Sequence, residues 1–196
     1  LKKLVISAFG PYAQTQELDF EYHLGDRSMF VISGNTGAGK TTIFDAINFA
    51  LFGNASGSER DGKSLRSDFA SPDTDTWVEL DFSLREKEYH IRRSPQYERP
   101  KKRGEGTTKT SASAELRLIT DPRVVTGYSD VTSEVEKILG INSGQFKQLV
   151  MIPQGEFKRL LSADSGEKEI IFRKIFGTEA FSQIQKNIVE RSNSLK

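Results

Sequence analysis

The sequence predicts an α/β domain in which a buried strand leads through a glycine-rich loop into a helix. Three observations predict it: the apolar, β-branched run at residues 29–33, the glycines at 34–39, and apolar residues at helical spacing over 42–52. Gly53 follows where that helix is expected to end. The 196 residues suffice for one domain with a substantial hydrophobic core.

The glycine-rich loop carries the first functional signal. Residues 34–41 read G-x-x-x-x-G-K-T, the pattern of phosphate-binding loops (P-loops). Its glycines let successive backbone N–H groups face one anion, and the following helix N terminus adds unpaired donors. We expect Lys40 to reach the β- and γ-phosphates and the Thr41 hydroxyl to bind Mg²⁺. The predicted nucleotide-binding residues are Gly34, Asn35, Thr36, Gly37, Ala38, Gly39, Lys40, Thr41 and Thr42. The alternative, a chance glycine-rich turn, is disfavoured because both strand and helix flank the loop in the required order.

Composition narrows the class of protein. The chain is 36% hydrophobic and 28% charged with a net charge of +1, as in ordinary soluble globular proteins, so total charge predicts no partner. The absence of cysteine excludes disulfides and thiolate metal sites and favours a cytoplasmic setting. Two scattered histidines, His23 and His90, argue against a histidine-rich nuclease centre. No membrane span or signal peptide is visible, and the start at Leu1 suggests trimming from a longer sequence.

Periodicity predicts further elements around this core. Alternation indicates strands at residues 4–9, 17–22, 77–84, 89–93 and 114–118, with a hairpin turn at 85–88. A surface loop is expected at 53–67, where it could fold back near the base. An apolar stripe from Asp130 predicts a helix that Gly140 ends. Asn142 with Gln145 resembles a capping box that opens the next helix.

Residues 95–110 are rich in basic side chains and nearly free of apolar ones, which predicts a long mobile hairpin tip or a partly disordered loop. Lys101, Lys102 and Arg103 could contact DNA phosphates and supply a salt-sensitive attraction. The alternative is a solvated tip with no partner, and the charge run does not decide between the two.

Hydrolysis requires groups beyond a P-loop. Gln154 lies between Pro153 and Gly155, on a kink where its amide could bind Mg²⁺ and hold a water; a surface glutamine with no such role is the alternative. We find no apolar strand that ends in an acidic residue. Residues 118–122 are too short, Asp81 lies on an alternating strand, and Asp45 is expected to be structural. The sequence therefore resembles half of an ATPase.

Four stretches resemble the N-terminal segment of SbcC-type proteins, the ATPase subunits of the bacterial SbcCD nuclease, within the SMC-like branch of ABC-type ATPases. They are residues 8–12, 34–47, 92–108 and 145–157, and together they span almost the whole chain. The resemblance implies a P-loop NTPase half head with a mixed β-sheet around the P-loop helix and a helical subdomain. It assigns 1–177 to the N-terminal lobe, with its helical part at about 130–177, and 178–196 to the start of a coiled-coil helix. On spacing alone, an amphipathic helix packed on its own domain remains open for that last segment.

The resemblance also implies residue roles and partners. Gln154 matches the glutamine that senses γ-phosphate and Mg²⁺, which makes Lys40 and Gln154 the catalytic candidates and Thr41 and Gln154 the metal ligands. The implied cofactors are ATP and Mg²⁺. The implied partners are the C-terminal segment of the same ATPase, a second copy of the head, an SbcD-type nuclease subunit and double-stranded DNA. This fragment alone is then expected to be inactive, since the acidic strand and the signature loop belong to the C-terminal segment.

One position departs from the family. An arginine follows the first-strand phenylalanine in eukaryotic and archaeal relatives, whereas Gly10 stands here, so no arginine contact to nucleotide is expected at that place. Two other interpretations compete with the leading one: an SMC-type architectural ATPase that tethers DNA without a nuclease, and a P-loop kinase. The match at 92–108 favours the nuclease subunit over the architectural protein. The kink at Gln154 fits a kinase poorly.

Overall fold

A computed structural model of the chain describes residues 1–25, 27, 29–54, 65–100, 105–150, 164, 166, 188 and 191. The chain divides into two compact units, 1–140 and 141–196. The predicted lobe spanning 1–177, the coiled-coil helix from 178 and the Gln154 kink lie almost wholly outside the described residues of the second unit, where helix α4 (Ser143–Val150) is described. Among the described residues, no helix is both long and apolar enough to cross a membrane.

The first unit is built on a six-stranded sheet. Its strands run in the order β2-β1-β3-β4-β7-β8, and each neighbouring pair is antiparallel. The bounds are β1 Lys3–Ser7, β2 Gln16–Asp19, β3 Trp77–Leu84, β4 Lys87–Ser94, β7 Ser113–Leu118 and β8 Val124–Thr126. Strands β5 (Tyr97–Pro100) and β6 (Thr107–Thr110) form a separate two-stranded hairpin.

One face of the sheet carries the core because side chains alternate along each strand. In β3, Val78, Leu80 and Phe82 are buried while the residues between them are half-buried or exposed. Helix α2 (Lys40–Phe52) packs on β3 and β4, and helix α3 (Tyr128–Leu139) packs on β7, β8 and α2. Ten of the thirteen α2 residues are buried, so this helix lies at the centre of the unit.

Several predicted elements are confirmed. The strand at 77–84 has the predicted bounds, and its hairpin turn is formed by Arg85 and Glu86, both at positive φ, as a two-residue turn requires. Helix α3 ends at Gly140, which takes the left-handed conformation with φ of 73°. The capping box is present as well: Gln145 N donates to Asn142 Oδ1 at 2.9 Å, and Asn142 N donates to Gln145 Oε1 at 3.0 Å.

The predicted strand at 17–22 is wrong in its second half. Strand β2 ends at Asp19, and a short helix α1 (Phe20–Leu24) follows. The cause is local: Asp19 Oδ1 accepts a hydrogen bond from the Tyr22 backbone N at 2.8 Å and so caps the helix, which the alternating pattern concealed.

The buried strand predicted at 29–33 is also not observed. This segment is irregular, and Met29 and Val31 are 83% and 88% exposed. A strand needs a neighbour to accept its backbone hydrogen bonds, and no strand in the described part of the chain pairs with these residues. The sequence pattern identifies the apolar side chains but not whether that neighbour is present.

The basic segment is more ordered at its base than predicted. Strands β5 and β6 pair from Tyr97 opposite Thr110 to Pro100 opposite Thr107. Lys101, Lys102 and Arg103, at the tip, lie outside the described residues.

Candidate functional site

The predicted phosphate loop leads directly into α2. Gly37 and Gly39 have φ of 84° and 87°, in the left-handed region that glycine adopts without strain. Between them the chain makes a turn in which Ala38 N donates to Asn35 O at 3.2 Å. Gly39 is the N-cap residue and has no side chain to occupy the first N–H groups of α2. The loop therefore offers backbone donors and a helix N terminus to an anion.

Lys40 lies across this loop. Its ammonium nitrogen donates to Gly34 O at 2.8 Å and to Asn35 O at 2.7 Å, so the loop's own carbonyls hold the charge beside the glycine turn. Thr41 is exposed and its hydroxyl is accessible, while Thr42 is buried. The structure thus brings the predicted residues 34–42 together in one loop and the first turn of one helix.

The other end of α2 is closed by side chains that sequence reasoning did not single out. Arg93, on β4, is fully buried. Its Nε donates to Ala50 O at 3.0 Å and its Nη2 donates to Leu51 O at 3.2 Å. These acceptors belong to the last turn of α2, whose carbonyls have no partner within the helix. The guanidinium also faces the negative end of the helix dipole.

Helix α3 completes the closure. The Tyr128 hydroxyl donates to Gly53 O at 2.7 Å, and its ring stands 4.7 Å from the Arg93 guanidinium, which also donates to Tyr128 O. Thr132 Oγ1 lies 3.4 Å from Phe52 O. Burial lowers the pKa of Arg93 to about 10, so the guanidinium remains charged at neutral pH. The P-loop helix is consequently fixed at its rear by three side chains.

The acidic residues considered as hydrolytic groups have other places. Asp81 is on β3, on the face opposite the buried side chains, and its Oδ1 lies 2.6 Å from His90 Nδ1. Asp121 lies between β7 and β8, where hydrogen bonds from Arg123 lower its pKa. Asp45 is buried in α2. Within the described residues, no group of three or more metal-binding side chains is found.

Gln154, the second predicted catalytic and metal-binding residue, lies outside the described residues, as do Lys101, Lys102 and Arg103. The structure therefore places the P-loop part of the predicted site and leaves these four side chains as predictions.

The family described as AAA domain matches residues 3–196. The chain belongs to this family. Membership of the AAA domain family establishes nucleotide binding and, with the sheet and helices above, confirms the predicted α/β P-loop NTPase class.

The similar proteins share one name, the SbcC subunit of the SbcCD nuclease. The chain is 43% identical to that subunit of Vibrio cholerae over 99% of this AAA-domain chain and 19% of the relative. It is 36% identical to the same subunit of Lactococcus lactis over 98% of the chain and 19% of the relative. For Staphylococcus aureus the figures are 39%, 95% and 18%. The predicted resemblance to SbcC-type subunits is confirmed, and the chain spans about a fifth of the length of these relatives.

Proposed function

We propose that this chain is the ATP-binding part of an SbcC-type ATPase subunit that drives a DNA-processing nuclease complex. The observation that supports it best is the P-loop geometry: left-handed glycines, a backbone-held Lys40 and exposed first-turn donors stand at the head of a buried helix. Similarity to nuclease subunits over almost the whole chain favours this function over a DNA-tethering ATPase or a kinase.

Each site residue has a role in this proposal. The backbone of residues 34–42 cradles the phosphates, and Lys40 moves from its carbonyl partners to the β- and γ-phosphates when ATP binds. The Thr41 hydroxyl binds Mg²⁺ from the first turn of α2. Gln154 binds the same ion and orients the attacking water. Mg²⁺ supplies the charge that neutralises the transferring phosphoryl group.

The remaining four fifths of the protein complete the active site. The irregular segment at 29–33, with Met29 and Val31 exposed, has the apolar composition of a strand and lies immediately before the P-loop. We propose that a strand from the C-terminal part of the same protein pairs with it and brings the acidic residue that the sequence pattern of this chain does not provide. A second copy of the head then encloses the nucleotide.

The basic hairpin is the proposed DNA contact. Its base is held firmly: Tyr97 is buried, and its hydroxyl donates to Asp75 Oδ1 at 3.1 Å, while Arg99 Nη1 reaches the same oxygen at 2.9 Å. Strands β5 and β6 project from this base and present Lys101, Lys102 and Arg103 to a phosphate backbone, with the nuclease supplied by an SbcD-type subunit.

The test is ATP turnover by this chain alone and after addition of a separately produced C-terminal segment of the same protein. Negligible turnover alone and clear turnover of the mixture are expected, with Lys40→Ala in the mixture returning it to the background. Robust turnover by the chain alone would mean that the general base lies within these residues, and the proposed division of the site would fail.

A further inference from the structure

Tyr12 belongs to a turn that is fixed from several directions. The turn follows β1, and Tyr12 N donates to Phe9 O at 3.1 Å. Gly10 N donates to Leu65 O at 2.9 Å, and Phe9 forms a bridge with Arg66. Backbone hydrogen bonds on both sides therefore determine where the Tyr12 side chain is held.

This turn packs against the P-loop and the start of α2. A Cβ atom added to Gly39 would lie 2.7 Å from Pro11 Cγ and 2.9 Å from the Tyr12 hydroxyl oxygen. A Cβ added to Gly10, which has φ of 57°, would lie 2.7 Å from Thr42 Cγ2. Both glycines are thus required by close approach, and the larger side chain that relatives carry at the position of Gly10 has no room in this arrangement.

The Tyr12 hydroxyl contacts the last peptide of the loop. It donates to Gly39 O at 3.1 Å, and burial raises the pKa of Tyr12, so the hydroxyl keeps its proton at neutral pH. In a planar trans peptide the carbonyl and the next N–H point in opposite directions. A carbonyl of Gly39 held toward Tyr12 directs the N–H of Lys40 to the other side, into the concave side of the loop.

We propose that Tyr12 is a positioning residue for the triphosphate: its hydroxyl holds the 39–40 peptide in the orientation that presents the Lys40 N–H to a bound phosphate. This inference rests on the proposed ATP site. It adds a third fixed point to that site, beside the lysine contacts with Gly34 and Asn35 and the Arg93 closure at the rear of α2.

The test compares Tyr12→Phe with Tyr22→Phe in the intact protein. Both changes remove one hydroxyl and keep the ring, but Tyr22 is 83% exposed on α1 and is not in contact with the loop in any described interaction. The measurements are the Kd for ATP, the Kd for inorganic triphosphate, and the thermal midpoint without ligand. Loss of one hydrogen bond of ordinary strength predicts about fivefold weaker binding of both ligands to Tyr12→Phe. Its midpoint is expected to stay unchanged, and Tyr22→Phe to match the unaltered protein throughout.

Three results would overturn the inference. Unchanged affinity of Tyr12→Phe would remove the hydroxyl from the site. Weaker ATP binding with unchanged triphosphate binding would place its effect on the nucleoside. An affinity loss that follows a lowered midpoint, and disappears on cooling, would make Tyr12 a stabilising residue only. Lys40→Ala is measured in parallel: if that variant binds ATP normally the proposed function itself fails, whereas a loss confined to Lys40→Ala refutes only the role of Tyr12.

Discussion

Arg93 Nε donates a hydrogen bond to the carbonyl of Ala50 at 3.0 Å, joining the middle of the sheet to the last turn of the P-loop helix. The same guanidinium reaches Leu51 O and Tyr128 O, each at 3.2 Å. A buried charge is costly unless it is well partnered, and here the partners are helix carbonyls at the negative end of the dipole. The arrangement fixes one end of α2 while the other end forms the phosphate loop.

Arg93→Met is expected to lower the free energy of unfolding by about 2–4 kcal/mol, since it leaves buried carbonyls without donors and the relief of the buried charge offsets only part of that cost. Urea unfolding measures it. The matched control is Arg92→Met, on the exposed face of the same strand, where the side chain pairs with Glu79 and a loss below about 1 kcal/mol is expected. Equal losses in the two variants would contradict the capping role.

Tyr128 makes stability depend on alkaline pH. Burial raises its pKa above the ordinary value of 10, and the nearby Arg93 opposes part of that shift. The unfolded chain therefore loses this proton first, so the contribution of Tyr128 to stability is complete below pH 10 and is lost as pH rises through the higher folded-state pKa. In a near-ultraviolet titration of the folded protein, the absorbance step that Tyr128→Phe removes should have a midpoint above 10. A midpoint at or below 10 would show that the hydroxyl is not buried against Gly53.

Gln154→Ala is expected to leave ATP affinity nearly unchanged and to reduce turnover of the completed ATPase by about 10²-fold, because the attacking water loses its positioning group. Steady-state kinetics separate the two effects. Gln145→Ala serves as the control, since that side chain caps α4 through Asn142 and its loss should affect stability instead of turnover. Unaltered turnover of Gln154→Ala would remove Gln154 from the active site.

Neutralising Lys101, Lys102 and Arg103 together is expected to weaken DNA binding and to flatten its salt dependence. Each side chain that contacts a phosphate contributes about one unit to the slope of log affinity against log salt. Lys137→Gln is the control, because Lys137 is exposed on α3 and pairs with Glu134. An identical slope in the triple variant would return the hairpin tip to a solvated surface with no partner.

Local patterns predicted much of the fold, and the misses share one cause. The P-loop, the hairpin turn at Arg85 and the capping box of Asn142 and Gln145 depend on residues close in sequence, and all three are present. The exposed state of Val31 was not predicted because a strand also depends on a neighbour that the described part of the chain does not supply.

The contacts that fix the P-loop helix are distant in sequence. Tyr12 lies 27 residues from Gly39, and Arg93 lies 42 residues from Leu51. One signal for Arg93 was present: alternation along β4 puts it on the same face as Tyr89 and Ile91, both buried. A basic residue on a core face predicts a buried acceptor, but only the fold identifies that acceptor as the end of α2.

The most direct test of the triphosphate site is the ATP affinity of Lys40→Ala, measured by titration calorimetry beside the unaltered protein and the control Lys109→Ala. Lys109 is a solvent-exposed lysine on β6, close to Glu98. We expect about 100-fold weaker binding for Lys40→Ala, from the loss of a charged donor to the phosphates, and no change for Lys109→Ala. ATP affinity that is unchanged in Lys40→Ala would contradict the assignment of residues 34–42 as the triphosphate site.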